Sequence, residues 1–201
     1  ADGWDVDVLR TDDPGTWSQV LDLEKRSFEW IRIPYQGVEK NSLSMELDLT
    51  LTAEGAVTGA LALKTKGGTA SALRVVSRNS KRFADAMQAF TDQFLTGAKI
   101  VPPKELAIED VEKDVAFTIE VSTGTFARKN DRDLVFDVPV TDRLEQVFVL
   151  DERKFPLLMP VPTQNTLALR IALPKKAKII EAPAEVAFDT PCISYTRKVE
   201  R

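Results

Sequence analysis

The 201-residue chain is 43% hydrophobic and 29% charged, with a formal net charge of −4. That is ordinary globular composition, without the concentrated basic field of a nucleic-acid binder. It has no histidine and one cysteine, Cys192, which excludes Ser-His and Cys-His catalysis, histidine metal sites, a histidine pH switch and any internal disulfide.

No apolar run approaches the roughly 20 residues of a membrane helix. No secretory signal pattern opens the sequence, so a targeting peptide is expected to be absent or removed. A single cysteine is compatible with the cytoplasm and with a bacterial periplasm.

Residues 1–40 read as a lead-in or linker. Asp13-Pro14 has the form of an N-cap followed by proline at the first helical position. Trp17, Val20, Leu21 and Glu24 then predict about two helical turns. All three tryptophans, Trp4, Trp17 and Trp30, lie in this segment. They either anchor an N-terminal arm on the main body or a neighbouring domain, or form a platform for ligand stacking.

Residues 43–66 carry the clearest pattern. Leu43, Met45, Leu47, Leu49 and Leu51 alternate with polar residues, and Val57, Leu61 and Leu63 do so again after Ala53-Glu54-Gly55. This predicts a β-hairpin with one apolar face, in which Gly55 supplies the positive φ of the turn. Two helices are predicted next, at about 70–78 and 80–96. Phe83, Met87, Phe90 and Phe94 form one stripe of the second, Asn79 or Ser80 caps it, and Gly97 ends it. The stripe is expected to cover one face of the sheet.

Pro102-Pro103 breaks the chain before an acidic segment, 108–114, which lacks EF-hand spacing and reads as a solvated edge. Val115, Phe117, Ile119 and Val121 predict a strand. Gly124 turns the chain, 125–128 run back, 130–133 form a polar loop, and Leu134, Phe136 and Val138 alternate. Further strands are predicted at 144–150 and within 152–174, where Leu167, Leu169, Ile171 and Leu173 share a face and Pro174 ends the ladder. A Lys175-Lys176 turn leads to weaker strand signals at 177–180, 185–188 and 192–199.

The expected fold is therefore mainly β, of α+β type. It has antiparallel, β-sandwich-like sheets and one or two helices packed on a sheet. The expected organisation is a lead-in, 1–40, a β-rich subdomain with a helical insertion, 41–140, and a sandwich-like subdomain, 141–201. The last two can also be read as one continuous domain, 41–201.

A search for chemistry finds little. Cys192 lacks a histidine partner and reads as a small buried hydrophobe at a strand start. There is no S-x-x-K, G-x-S-x-G or P-loop motif. Gly67-Gly68-Thr69 before a helix has only the rudiment of an anion site. Asp131 with Asp133 and Glu109 with Asp110 are neighbours in polar loops, not carboxyls in two environments across a cleft. Arg74, Arg78, Lys81 and Arg82 form the main basic cluster and read as solvated surface. No catalytic, cofactor-binding or metal-binding residue is assigned, and no cofactor is expected.

Three stretches together resemble a known family. They are 49–59, with the pattern strand, acidic or polar residue, Gly55, strand, Gly59; Gly67 followed by a helix carrying Arg74; and Arg153-Lys154-Phe155-Pro156 followed some 20 residues later by Leu173-Pro174. In this order, over residues 41–200, they resemble the β-rich C-terminal domain of bacterial transglutaminase-like proteins. In the family that domain accompanies a papain-like Cys-His-Asp core, of which this chain carries no residue. The resemblance implies a non-catalytic accessory domain that mediates interdomain or protein–protein contact. Its implied partner is a neighbouring transglutaminase-like core of the parent polypeptide, and its implied location is extracytoplasmic. Gly55, Arg153, Phe155, Pro156 and Pro174 are its architectural fixed points. From the residues alone, two alternatives stand beside it: a stand-alone peptide- or glycan-binding β module, and a carboxylate-dependent hydrolase.

Overall fold

A computed structural model describes residues 8–10, 13–103, 106, 108, 110–139, 152, 154–155 and 161–200. The central hairpin forms as its alternation dictates. Strand β3, Ser42–Leu51, pairs antiparallel with β4, Val57–Thr65, placing Leu47 opposite Leu61 and Leu51 opposite Val57. The turn between them depends on Gly55, whose φ is 91°. Its carbonyl accepts a bond from the Ala127 amide at 2.9 Å. A side chain there would also collide with a neighbour, because its Cβ would lie 2.3 Å from the Ala127 carbonyl oxygen.

This hairpin is the middle of a five-stranded sheet. Strand β5 is Lys99–Val101, β6 is Val115–Thr123, and β9 is Gln164–Ala172; the order is β5-β6-β4-β3-β9. Register brings Leu169, Leu47, Leu61 and Ile119 into one row across four strands. Leu47 and Leu61 are fully buried, and burying one leucine contributes roughly 2 kcal/mol.

The helices cover this apolar face. Helix α1 is Gly68–Ser77 and α2 is Ser80–Asp92. Phe83 and Met87 of α2 join the strand residues in one core, with Phe90 and Phe94 packed against it. The Phe83 ring meets Phe117 of β6 edge-on at 5.5 Å. Asn79 caps α2 by accepting from the Arg82 amide at 3.0 Å. The helix ends at Asp92, not at the expected 96, with Gln93 as its C-cap, and Gly97, at φ 72°, lies in the turns that follow and does not cap it. The opposite face of the sheet is mostly polar and exposed, with Glu46, Asp48, Thr118, Glu120 and Arg170 on it.

The expectation of a mainly β, α+β fold with two helices on a sheet holds. One pairing differs from the antiparallel pattern: β9 runs parallel to β3. A parallel neighbour arrives by a long crossover, which local periodicity cannot register.

The helix expected near residues 17–24 is not formed. Instead β1, Trp17–Asp22, and β2, Ser27–Arg32, make an antiparallel hairpin. The helix-like spacing of Trp17, Val20 and Leu21 loses to cross-strand pairing, in which Leu21 faces Phe28 and Gln19 faces Trp30. Asp13-Pro14 opens a turn closed by Gly15 at φ 81°, with the Thr16 amide on the Asp13 carbonyl at 3.1 Å. At the hairpin tip the Asp22 carboxylate accepts from the Glu24 and Lys25 amides, and Arg26 takes φ 49°.

Two further hairpins complete the described strands. β7, Arg128–Asn130, pairs with β8, Asp133–Val135, around Asp131 at φ 52°. β10, Val186–Asp189, pairs with β11, Ser194–Arg197. The strand expected at 177–180 is absent, because the Ala177 amide bonds the Pro174 carbonyl at 3.0 Å and Lys176 adopts φ 70°. That closes a turn in place of a ladder. The strand expected at 144–150 lies outside the described residues.

Candidate interaction surface

The β1–β2 hairpin sorts its side chains cleanly. The strand period of two places Trp17, Gln19 and Leu21 on one face with Phe28, Trp30 and Arg32. The other face carries Ser18, Val20, Asp22, Ser27, Glu29 and Ile31. The first face is the apolar one, and it is exposed: Trp17 shows 66% of its surface and Trp30 60%, with Leu21 and Phe28 similar. A two-stranded ribbon is marginal in water by itself and gains stability when a third layer covers it. Arg32 stays anchored to the base of the ribbon, where its Nε donates to the Gly15 carbonyl at 2.9 Å.

The polar face of the main sheet is held by charge pairing. Across the β3–β9 pair, one Arg170 nitrogen donates to Glu46 and to Asp48, each at 3.2 Å. The hydrogen bond to Glu46, followed by that to Asp48, raises the Arg170 pKa above its ordinary value. All three groups are exposed, so the arrangement orients the strand edge more than it stabilises it.

Arg74 belongs to another category than the solvated basic surface expected for it. It is only 7% exposed. Its Nε donates to the Ile108 carbonyl at 2.7 Å, and one terminal nitrogen donates to the Asp110 carbonyl at 3.0 Å and to the Lys113 carbonyl. A guanidinium presents several donors in a rigid fork, and here the fork ties the Ile108, Asp110 and Lys113 carbonyls to α1. The rest of the cluster, Arg78, Lys81 and Arg82, is exposed as expected.

The acidic segment is accordingly more than a solvated edge. Ile108 is buried, Asp114 pairs with Lys64 at 3.1 Å and Lys66 at 3.6 Å, and Asp110 pairs with Lys113 at 2.8 Å. The Lys113 ammonium and then the Glu112 amide hold the Asp110 carboxyl below its usual range, and Asp110 in turn raises Lys113. Among the described residues no three His, Cys, Asp or Glu side chains gather into a metal site.

Other candidates resolve individually. Gly67-Gly68-Thr69 does open α1, but the Gly68 amide donates to the Asn41 side-chain oxygen at 3.2 Å, so a protein oxygen already occupies the position an anion would take. Cys192, expected as a buried hydrophobe, is exposed. It sits in the β10–β11 turn, where the Thr190 hydroxyl accepts from the Cys192 and Ile193 amides; that local bonding makes a turn of what reads as a strand start. Asp131 sits in the β7–β8 turn and Asp133 opens β8.

Of the architectural positions, Gly55 and Pro174 lie at the same end of the sheet. Parallel β3 and β9 end together, with Thr50 opposite Ala172, and each chain then turns. Phe155 is 80% exposed. Arg153 and Pro156 lie outside the described residues. The chain matches no family model, no curated protein and no solved structure.

Proposed function

We propose that this chain is a non-catalytic accessory β domain that docks through the aromatic face of β1–β2. One observation carries the reading: Trp17, Leu21, Phe28 and Trp30 stand exposed on one side of a two-stranded ribbon. At 150–250 Å² per large aromatic, such a face offers about 500 Å² of apolar surface, the size of patch that marks an interaction site. The resemblance of 41–200 to the C-terminal domain of bacterial transglutaminase-like proteins supports a Cys-His-Asp core of the parent polypeptide as the partner, at an extracytoplasmic location.

A core domain from the parent gene, mixed with this chain, tests the proposal by calorimetry. Exposed tryptophans at interface centres are typical hot spots, worth 2 kcal/mol or more. Trp30→Ser is therefore expected to weaken docking at least about thirtyfold. Unchanged affinity would refute the assignment of the surface. Hydrolase or acyl-transfer activity in the isolated chain, lost on a single substitution, would refute the non-catalytic reading.

Stand-alone glycan binding is the second reading, favoured by Gln19 lying beside Trp30 on the aromatic face. Binding of oligosaccharides by the isolated chain, abolished by Trp17→Ser, would replace the first reading with this one.

A further inference from the structure

The segment after β9 is the most concentrated basic run outside the sheet and helices. Lys175, Lys176 and Lys178 fall within four residues, all exposed. Among the described residues no carboxylate pairs with any of them. Directly beside them Ile179 is 50% exposed and Ile180 80%. Solvent is a poor environment for two adjacent isoleucines, and neither packs into the core clusters.

The lysines are also presented at a backbone cost. The Pro174–Ala177 turn is closed by the Ala177 amide on the Pro174 carbonyl at 3.0 Å, and Lys176 occupies its left-handed position at φ 70°. Glycine or asparagine fills such a position without strain. A long cation here projects from the tip of a hydrogen-bonded turn.

We propose that residues 174–180 are a contact site for an anionic lipid surface. The three ammonium groups lie over the phosphates, and Ile179 and Ile180 enter the headgroup–acyl boundary. Charge complementarity selects the partner, and the isoleucines select lipid over nucleic acid: a phosphodiester backbone satisfies lysine but leaves exposed isoleucine in water. Each lysine near an anionic bilayer is worth about fivefold in partitioning, and an isoleucine about tenfold or more when fully inserted. The attachment is peripheral and reversible, as expected for a short basic-apolar loop. No helix among the described residues is long and apolar enough to cross a membrane.

Co-sedimentation with sucrose-loaded vesicles tests this, comparing phosphatidylcholine alone with phosphatidylcholine mixed with phosphatidylglycerol. The chain is expected to sediment with the mixed vesicles only and to be released by salt, which shortens the Debye length. The triple variant K175Q/K176Q/K178Q should lose about a hundredfold in binding. I179S/I180S should lose about a hundredfold, about tenfold for each inserted side chain, at unchanged net charge. Lys176→Gly separates binding from folding: it should lower vesicle binding about fivefold while leaving the urea midpoint the same or higher, because it relieves a left-handed lysine. Equal sedimentation with both vesicle types, full binding by I179S/I180S, or tighter binding to a single-stranded oligonucleotide than to mixed vesicles would each overturn the proposal.

Discussion

Replacing Arg74 by methionine keeps the aliphatic length of the side chain and removes its donors. The three carbonyls of Ile108, Asp110 and Lys113 that converge on the guanidinium would then lose their partner beneath α1. A buried carbonyl left unsatisfied costs about 1–3 kcal/mol. Ile108 is itself buried, whereas Asp110 and Lys113 are exposed residues whose carbonyls can recover bonds to water. One full penalty and two partial ones give a loss of about 3–4 kcal/mol.

Urea unfolding followed by far-UV circular dichroism gives the difference in midpoint. Hydrogen exchange gives its location. Amides of the 110–114 region should open faster in Arg74→Met, while those of the β3–β4 ladder keep their order of protection. Arg74→Lys should recover only part of the loss, because an ammonium cannot reproduce the fork. Arg78→Met, four residues on and exposed, should change stability by less than about 0.5 kcal/mol. A loss in Arg74→Met no larger than in Arg78→Met, or unchanged exchange in the loop, would refute the clamp.

Gly55→Ala should cost about 2–3 kcal/mol, since it combines a positive φ with a Cβ driven into the Ala127 carbonyl; a near-neutral midpoint would show that the β3–β4 turn is not held by this contact. Leu169→Asp sets a carboxylate beside Leu47 in the apolar row and should cost about 2–4 kcal/mol. Arg170→Asp should be mild, and more felt at low salt, because it adds a third carboxylate to Glu46 and Asp48 at an exposed position; equal effects of the two would mean that the alternation in β9 does not define two faces. The Asp110 carboxyl should titrate below its ordinary 3.8 by side-chain NMR, and Lys113→Ala should move it back up. A native pKa below the unfolded one means that its contribution is complete above about 3.8 and is lost as pH falls through the native value. A titration at or above 3.8 would place the Asp110–Lys113 pair outside the solution structure.

Periodicity made the central structure legible. The Leu-x-Leu alternation of β3 and the helical spacing of Phe83, Met87 and Phe90 in α2 depend on neighbours within ten residues, and both elements formed, although α2 ends at Asp92, short of the expected 96, and leaves Phe94 in the turn beyond it. Gly55 was legible for the same reason, because a turn between two alternating strands demands one left-handed residue. The N-terminal hairpin was not. Trp17, Val20 and Leu21 satisfy a helical spacing as well as a strand one, and only the partner strand, with Phe28 and Trp30, decides between them. Arg74 was misread because a basic residue on a helix is usually solvated. Nothing local announces three carbonyls that arrive from more than thirty residues later. The sheet edge was half legible: the face of β9 was evident, but its partner and direction were not.

The parallel seam between β3 and β9 has a kinetic consequence. Asp48 and Arg170, which meet across it, are 122 residues apart, whereas the β3–β4 hairpin closes over a short turn. Closure entropy grows with the logarithm of loop length, so the long closure costs about 2 kcal/mol more than one over ten residues. The hairpin and its helical cover can therefore assemble first, with β9 arriving as a late step onto a preformed edge. Until it does, the outer side of β3 presents a row of unpaired amides and carbonyls, the kind of edge that recruits other strands. During synthesis and refolding that exposed edge, more than the core, sets the window in which this chain is vulnerable to aggregation.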